Sequence, residues 1–340
     1  MLPAGTTTAG DPEPACPTSS PSRPGLSRAL VTGGAGFIGS TLTRLLLERG
    51  YGVRVYDDLS SGSRDHLEGL DVELVTGDVR DADALGRACR GTDAVFHLAA
   101  GAGVVESMEQ PVENFDLNAR GTLLALWAAK QAGVERFVFS SSNAPLGDNA
   151  YPASEDKPVA PLSPYGASKA TGEAYCSAFF GAYGFPAVAV RFSNAYGPRS
   201  ARKTNVIPLF IRRIMAGEPL TIYGDGTQTR DFVFVTDLAN GLIRAAEAPN
   251  VGGEVFQLAS GVETTLTDLV RLLAEVSGRE PELRHEPSRA GEIQRNYSLV
   301  DKARDRLGYT PAVPLADGLA RTWEWFADGA VTRRDAPSAG

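Results

Sequence analysis

Apolar residues fall in short runs separated by longer stretches with helical spacing. The run RALVT (28–32) is a short strand by its apolar, β-rich content. It is followed by a glycine cluster and then FIGSTLTRLLLERG, whose apolar positions recur at helical intervals up to Gly50. VRVYDD (53–58), VELVTGD (72–78), DAVFHLAA (93–100) and ERFVFSSS (135–142) repeat the strand pattern, and AVAVRF (187–192) extends it. Helical patterns occupy 81–90, 113–132 and about 165–183 between them. Strands alternating with helices predict an α/β fold built on a doubly wound parallel sheet.

After Gly197 the rhythm changes. VIPLFIRRIMAGE (206–218) is an amphipathic helix, 220–235 reads as strand, turn, strand, and 237–247 and 266–278 are helices. The pattern predicts a main domain over 28–197 plus about 232–258. A smaller, discontinuous α/β substrate domain takes 198–231 and 259–328. Residues 1–26, rich in Pro, Thr, Ser, Gly and Ala, and residues 329–340 are expected to be unstructured tails. The first of these lacks the apolar stretch of a secretory signal.

The formal net charge of −8 argues against non-specific nucleic-acid binding, which needs a basic surface. The three cysteines, Cys16, Cys89 and Cys176, match neither a disulfide framework nor metal-ligand spacing. No apolar run reaches the ~20 residues of a membrane span. These features predict a cytoplasmic protein without membrane or nucleic-acid partners. No metal constellation emerges: His66 and His285 sit in polar segments without partners at ligand spacing, and His97 lies in a strand as a core residue.

The glycine cluster carries the first chemistry. Gly33, Gly36 and Gly39, with Phe37 and Ile38 between them, stand between a strand and a helix. Such a loop lets the backbone approach a diphosphate at a helix N-terminus. Asp57, about twenty residues on, ends the second strand, where a carboxylate binds ribose hydroxyls and repels a 2′-phosphate. Asp58 beside it strengthens the preference for NAD over NADP. Asp78 has two readings, a partner for the adenine amino group or the N-cap of the helix after it.

Tyr165 and Lys169, spaced i and i+4, share one helix face. A tyrosine with pKa ~10 is a poor base, but a neighbouring ammonium and a positive nicotinamide ring favour its phenolate. Tyr165 could then take a proton from a sugar or alcohol hydroxyl during hydride transfer. The strand at 136–140 ends in Ser140-Ser141-Ser142, where ligands bind in such sheets, and Ser142 can hydrogen-bond the reacting oxygen.

Together these residues resemble the extended short-chain dehydrogenase/reductases of the NAD-dependent sugar-nucleotide epimerase/dehydratase family, over nearly all of 28–325. The resemblance rests on TGGAGFIG (32–39), DDLSSG (57–62), GDVRD (77–81), HLAA (97–100), Asn118 in NARGT, the SSS before Tyr165-x-x-x-Lys169, RFSNAYGPR (191–199) and YGDGTQTRDFVFV (223–235). It implies a Rossmann domain holding NAD and a UDP-sugar in the smaller domain. NAD contacts would come from the glycine loop, Asp57, Asp58, Ser61, Gly62, Asp78, Val79, Leu98, Ala99, Ala100, Asn118, Ser140, Tyr165 and Lys169. Substrate contacts would come from Ser142, Asn143, Tyr165, Asn194, Arg202, Asn205, Val206 and Glu292, with Arg230 and Arg289 bracketing the diphosphate. The family also implies a homodimer formed through helix 113–132 and the helix bearing Tyr165.

In related 4,6-dehydratases an Asp-Glu pair follows the catalytic Ser/Thr, and related decarboxylases carry a nearby Glu. Here Asn143-Ala144-Pro145-Leu146 follows Ser142, with no acid to protonate a leaving hydroxyl. That pattern points to C4 epimerisation of UDP-glucose or, given the basic cluster Arg199, Arg202 and Lys203, of UDP-glucuronate. The same cluster also reads as a solvated basic loop. Asn296 falls near the position that limits the C2 substituent and leaves N-acetyl sugars open. The rival readings are a 4-keto-sugar reductase or dehydratase of the same family and a non-catalytic NAD-binding regulator.

Overall fold

A computed structural model describes residues 25–148, 151–288 and 294–328. Seven parallel strands form the main sheet, in chain order β1 (Arg28–Thr32), β2 (Gly52–Asp57), β3 (Val72–Thr76), β4 (Ala94–His97), β5 (Arg136–Ser140), β6 (Ala187–Phe192) and, after four short strands described below, β11 (Val255–Leu258). Their order across the sheet is β11-β6-β5-β4-β1-β2-β3. The order reverses between β1 and β4, and the crevice at that switch point is where doubly wound sheets bind ligands. The fold is Rossmann-like.

Two apolar layers cover the sheet. On one face pack α1 (Phe37–Glu48) and α8 (Val235–Glu247), with Leu42, Leu46, Leu238 and Leu242 fully buried against Val31, Val55 and Val190. On the other pack α2 (Ala82–Cys89), α5 (Gly121–Gln131) and α6 (Pro164–Tyr183), whose Leu85, Leu126 and Phe179 meet Leu30, Phe137 and Phe139. Side chains alternate across each strand, so adjacent residues such as Leu30 and Val31 serve opposite layers.

The helix expected over 113–132 is divided. After α3 (Val104–Glu109), a turn of α4 (Pro111–Asn114) leads into a π-helical stretch at Phe115–Arg120, and α5 continues from Gly121. Helical periodicity does not distinguish a widened turn from a regular one. π-turns concentrate at functional positions, and this one contains Asn118.

The third apolar cluster lies beyond β7 (Asn194–Tyr196). It joins α7 (Val206–Ala216), α9 (Leu266–Ser277) and α11 (Leu315–Ala327) through Phe210, Ile211, Leu269, Leu273 and Leu319. The strand-turn-strand expected at 220–235 forms its strands but not a hairpin. β8 (Leu220–Tyr223) pairs in parallel with β13 (Leu283–Glu286), β9 (Thr229–Arg230) pairs with β12 (Thr264–Thr265), and β10 (Phe232–Phe234) pairs with β7. Local alternation specifies extended backbone, whereas the pairing partners come from distant sequence. The remaining helix, α10 (Asp301–Leu307), packs near β11. No helix among the described residues is long and apolar enough to cross a membrane. Both predicted tails lie outside the described residues, apart from Gly25 and Leu26.

Candidate active site

The chain leaves β1 through Gly33, which takes the left-handed conformation (φ +69°). A Cβ at Gly33 would stand 2.7 Å from the Ala99 nitrogen, and one at Gly39 only 2.1 Å from the Gly33 oxygen. Both obstacles are backbone, so a side chain at either position would force the loop apart. Gly36 is the N-cap of α1 and brings no side chain to the helix end. The first N–H groups of α1, those of Phe37, Ile38 and Gly39, therefore face the cleft at the positive end of the helix dipole.

Asp57 ends β2 and is buried. Its two carboxylate oxygens accept from the N–H of Ala35 (2.9 Å) and of Leu59 (2.8 Å). Burial pushes this carboxyl above its ordinary value, and those two N–H groups oppose the shift. A carboxylate offers about four acceptor sites, so Asp57 can fasten the glycine loop and still face the cleft. The cleft runs from Gly33, Gly36, Phe37, Ile38 and Gly39, past Asp57, Asp58 and Ser61, over Val79, Leu98, Ala99 and Ala100, to Ser140, Tyr165 and Lys169. An elongated cleft with a glycine cradle at one end and an acid beside it fits a dinucleotide.

Four expected site residues are fixed by contacts within the protein. Gly62 packs behind the cleft, where a Cβ would meet the Ala35 carbonyl carbon at 2.8 Å. Asp78 is not the N-cap of the following helix. That role belongs to Asp81, which accepts from Ala84 N–H, while the Asp78 carboxylate is engaged by the Arg80 side chain and held below its ordinary range. Asn118 spends its amide on the protein: its Oδ1 accepts from Gly101 N–H (2.8 Å), and its Nδ2 donates to Gly101 O (3.0 Å) and Ser168 Oγ (3.1 Å). It shapes the strand end beside Ala99 and Ala100. Arg202 lines the same cleft as the glycine loop, Tyr165 and Lys169, and reaches the carbonyls of Ser61 (3.4 Å) and Gly62 (3.5 Å).

Helix α6 brings Tyr165 and Lys169 to the cleft. Ser163 caps it by accepting from Gly166 N–H, and Pro164 occupies its first turn, so the helix begins where Tyr165 meets the end of β5. Lys169 is 3% exposed, and its Nζ donates to the Ser140 carbonyl at 2.8 Å. Burial lowers the Lys169 ammonium to about 7; Glu173 opposes that shift and Lys203 adds to it. Burial raises the Tyr165 phenol, while a hydrogen bond with Ser142 works the other way. The Lys169 ammonium sits 5.9 Å from the Tyr165 ring centroid. In the protein alone the phenol is therefore pushed up by burial, with the Ser142 hydrogen bond as the opposing influence.

The other expected substrate residues come from several elements. Asn143 donates to Ser298 Oγ at 3.0 Å and leaves a buried Oδ1 without a protein partner. The Asn296 Oδ1 is likewise buried without one. Asn194 opens β7 and is held by Asp231 O. Asn205 and Val206 begin α7. Arg230 is half-buried on β9 and donates to Thr229 O at 2.7 Å. Arg289 and Glu292 lie outside the described residues.

The basic cluster named from the sequence lines this cleft: Arg199 and Lys203 stand there with Arg202, so it is not a solvated loop. Arg199 adopts a left-handed backbone (φ +68°), a conformation that such residues keep mainly at functional sites. Burial lowers it to about 10 with help from Arg44, and burial lowers Lys203 as well. His66, expected in a polar segment, is 9% exposed, lines the cleft, and its Nδ1 lies 2.9 Å from Ala35 O. No local pattern marked it. His97 is a satisfied core residue between Thr32 Oγ1 (2.8 Å) and Thr122 Oγ1 (3.2 Å). No cluster of metal-ligating side chains occurs among the described residues.

The model of the NAD dependent epimerase/dehydratase family matches residues 29–259. A UDP-glucose 4-epimerase of Mycolicibacterium smegmatis is 39% identical over 88% of this chain and 98% of its own. A dTDP-glucose 4,6-dehydratase of Streptomyces niveus is 36% identical over 88% of this chain and 93% of its own. The crystal structure of UDP-glucose 4-epimerase from Thermotoga maritima with UDP-glucose superposes with a TM-score of 0.84 at 35% identity, over 89% of this chain and 99% of the other. The cofactor is NAD, as the glycine cradle and Asp57 require. The chain belongs to the NAD-dependent epimerase/dehydratase family of extended short-chain dehydrogenase/reductases.

Proposed function

We propose that this protein inverts C4 of a UDP-hexose, UDP-glucose or UDP-glucuronate, through a transient 4-keto sugar. One observation carries the choice of reaction. The residues after Ser142 are Asn143, Ala144, Pro145 and Leu146, a single tight turn in which no carboxylate stands to protonate a leaving hydroxyl. A dehydratase needs that acid; an epimerase needs only reversible proton exchange at O4.

The residues would divide the work as follows. Tyr165 removes the C4 hydroxyl proton, then returns it after the sugar has turned over. Ser142, hydrogen-bonded to Tyr165, holds the reacting oxygen. Lys169 supplies the positive charge that stabilises the phenolate. NAD, which the Gly33–Gly39 loop and Asp57 would hold, would supply reversible hydride exchange at C4 with no net oxidation. Arg230, Asn194 and the first turn of α7 would hold the nucleotide diphosphate and sugar. Lys203, whose charge already bears on Lys169, is the cation available to a uronate carboxylate.

We also propose a homodimer through α3, α4, the π-helical stretch, α5 and α6. What supports it is a line of exposed apolar side chains: Val105 (68%), Met108 (64%), Val112 (74%), Phe115 (56%), Trp127 (44%) and Tyr183 (54%). Large apolar side chains exposed on neighbouring helices mark an interaction surface.

The deciding experiment incubates the enzyme separately with UDP-glucose, UDP-glucuronate and UDP-N-acetylglucosamine, with NMR analysis of products. A C4 epimer from one of the first two is expected, without accumulation of NADH. A 4-keto-6-deoxy product would establish a dehydratase, and no C4 epimer from any of the three would refute the proposal.

A further inference from the structure

One buried ionic cluster lies outside the residues used so far. Glu173 stands one helical turn beyond Lys169 on α6 and is 6% exposed; Arg191 on β6 is 2% exposed. The Arg191 guanidinium grips the Glu173 carboxylate with both arms, at 2.8 Å through Nε and 2.7 Å through Nη2. Ser141 Oγ donates to the same carboxylate at 2.5 Å. Ser141 is fully buried, and its own N–H donates to Val190 O at 2.7 Å.

A buried ion pair is weak evidence of stabilisation, because desolvation offsets the Coulombic gain. Its location here suggests a different use. Ser141 lies between Ser140, whose carbonyl receives the Lys169 ammonium, and Ser142, which meets the Tyr165 hydroxyl. The carboxylate thus joins three elements at the reacting end of the cleft: the tip of β5, helix α6 and strand β6. We infer that Glu173 is a positioning residue of this site, its fixed carboxylate tying the Ser140–Ser142 strand end to the helix of Tyr165 and Lys169 and serving as counter-charge to Lys169.

The electrostatics agree with the geometry. Glu173 is the group that opposes the loss of the Lys169 proton, against both burial and Lys203. Arg191 holds the Glu173 carboxylate in place by charge-assisted, bidentate bonding. The remaining charges facing Lys169 are therefore one anion from its own helix and one cation, Lys203, from the segment after Gly197. His97, from β4, is the neutral neighbour in the core, where Lys169 and burial together hold its imidazole unprotonated. A neutral lysine would neither stabilise a phenolate nor offer a charged donor to a ribose.

This inference rests on the proposed proton-transfer role of Tyr165 and Lys169, so its test includes a readout that needs no substrate. The chain has five lysines, few enough to resolve by NMR of the NAD-loaded protein labelled at lysine Cε, with Lys169 assigned from the signal missing in Lys169→Met. In Glu173→Gln the Lys169 titration midpoint should fall by about one pH unit or more, the size of shift that an opposite charge at close range produces. Should that variant fail to fold, Glu173→Asp keeps the charge but withdraws it by one methylene, and a smaller fall is expected. An unchanged midpoint in whichever variant folds overturns the counter-charge role. In the turnover assay, Ser141→Ala should lower kcat several-fold at unchanged KM, with Ser141→Thr restoring it; parental kcat in Ser141→Ala overturns the tie. If the parent protein yields no epimer, the proposed reaction fails while the NMR comparison still decides the role of Glu173.

Discussion

The same substitution, glycine to alanine, should have opposite effects in two helices of this protein. Gly39 lies in the first turns of α1, where an added Cβ would sit 2.1 Å from the Gly33 oxygen and 2.7 Å from the Gly34 Cα. Neither neighbour is a flexible side chain, so the glycine loop or the helix must shift. Overpacking of this kind costs about 1–3 kcal/mol. If the shift falls on the loop that cradles the diphosphate, that energy appears as roughly 5- to 150-fold weaker NAD binding, at about 1.4 kcal/mol per decade. Gly86 lies in the middle of α2, and a Cβ there meets nothing within 4 Å. Alanine at that position should stabilise by about 0.4–1 kcal/mol, through the smaller entropy of the unfolded chain. Calorimetric unfolding with and without added NAD, and the NAD content of the purified protein, separate the two effects. Gly86→Ala should unfold slightly above the parent and carry the same NAD. Gly39→Ala should unfold below it, retain less NAD, and gain less from added NAD at equal concentration. Parental NAD content and unfolding temperature in Gly39→Ala would refute the close-approach argument for this loop.

Three further outcomes are expected. Tyr165→Phe should lower turnover by about 10²–10⁴-fold, the range for loss of a general acid–base group, with NAD content unchanged; full turnover would remove Tyr165 from the mechanism. The His97 imidazole is held at about 3 by burial and by Lys169, so between an unfolded value of ~6.5 and that folded value the unfolded chain binds the extra proton. Stability should therefore drop as pH falls below ~6.5, with a shallower drop in denaturant titrations of His97→Gln; identical slopes would show that His97 is not the source. Trp127→Glu, on the exposed apolar face of α5, should convert a dimer to monomer in light-scattering measurements, and an unchanged mass would refute that interface.

Much of the site was legible in the chain because each signal is local. The glycine loop, Asp57 at a strand end, and Tyr165 with Lys169 one turn apart all follow from spacing within one or two elements. Strand and helix periodicity likewise determined a doubly wound sheet, since burial on both faces imposes its pattern on each strand. Periodicity could not show that the 113–132 helix widens into a π-turn around Asn118, that the 220–235 strands pair elsewhere, or that Asp81 caps α2.

The rest depended on contacts between distant residues, which leave no local trace. His66 reaches Ala35 across 31 positions, and Asn118 reaches Ser168 across 50. Arg202 reaches the Ser61 carbonyl across 141 positions, which turns a basic run into part of the cofactor cleft. Charge states depended on the fold as well: Tyr165 and Lys169 have ordinary side chains, but burial pushes the phenol up and the ammonium down. The amino-acid sequence determined the glycine loop, the sheet and the pairing of Tyr165 with Lys169 on one helix face. Only the tertiary structure placed Glu173, Arg191 and Ser141 around that pair, because a buried charge acquires its partner from whichever strands the topology brings beside it.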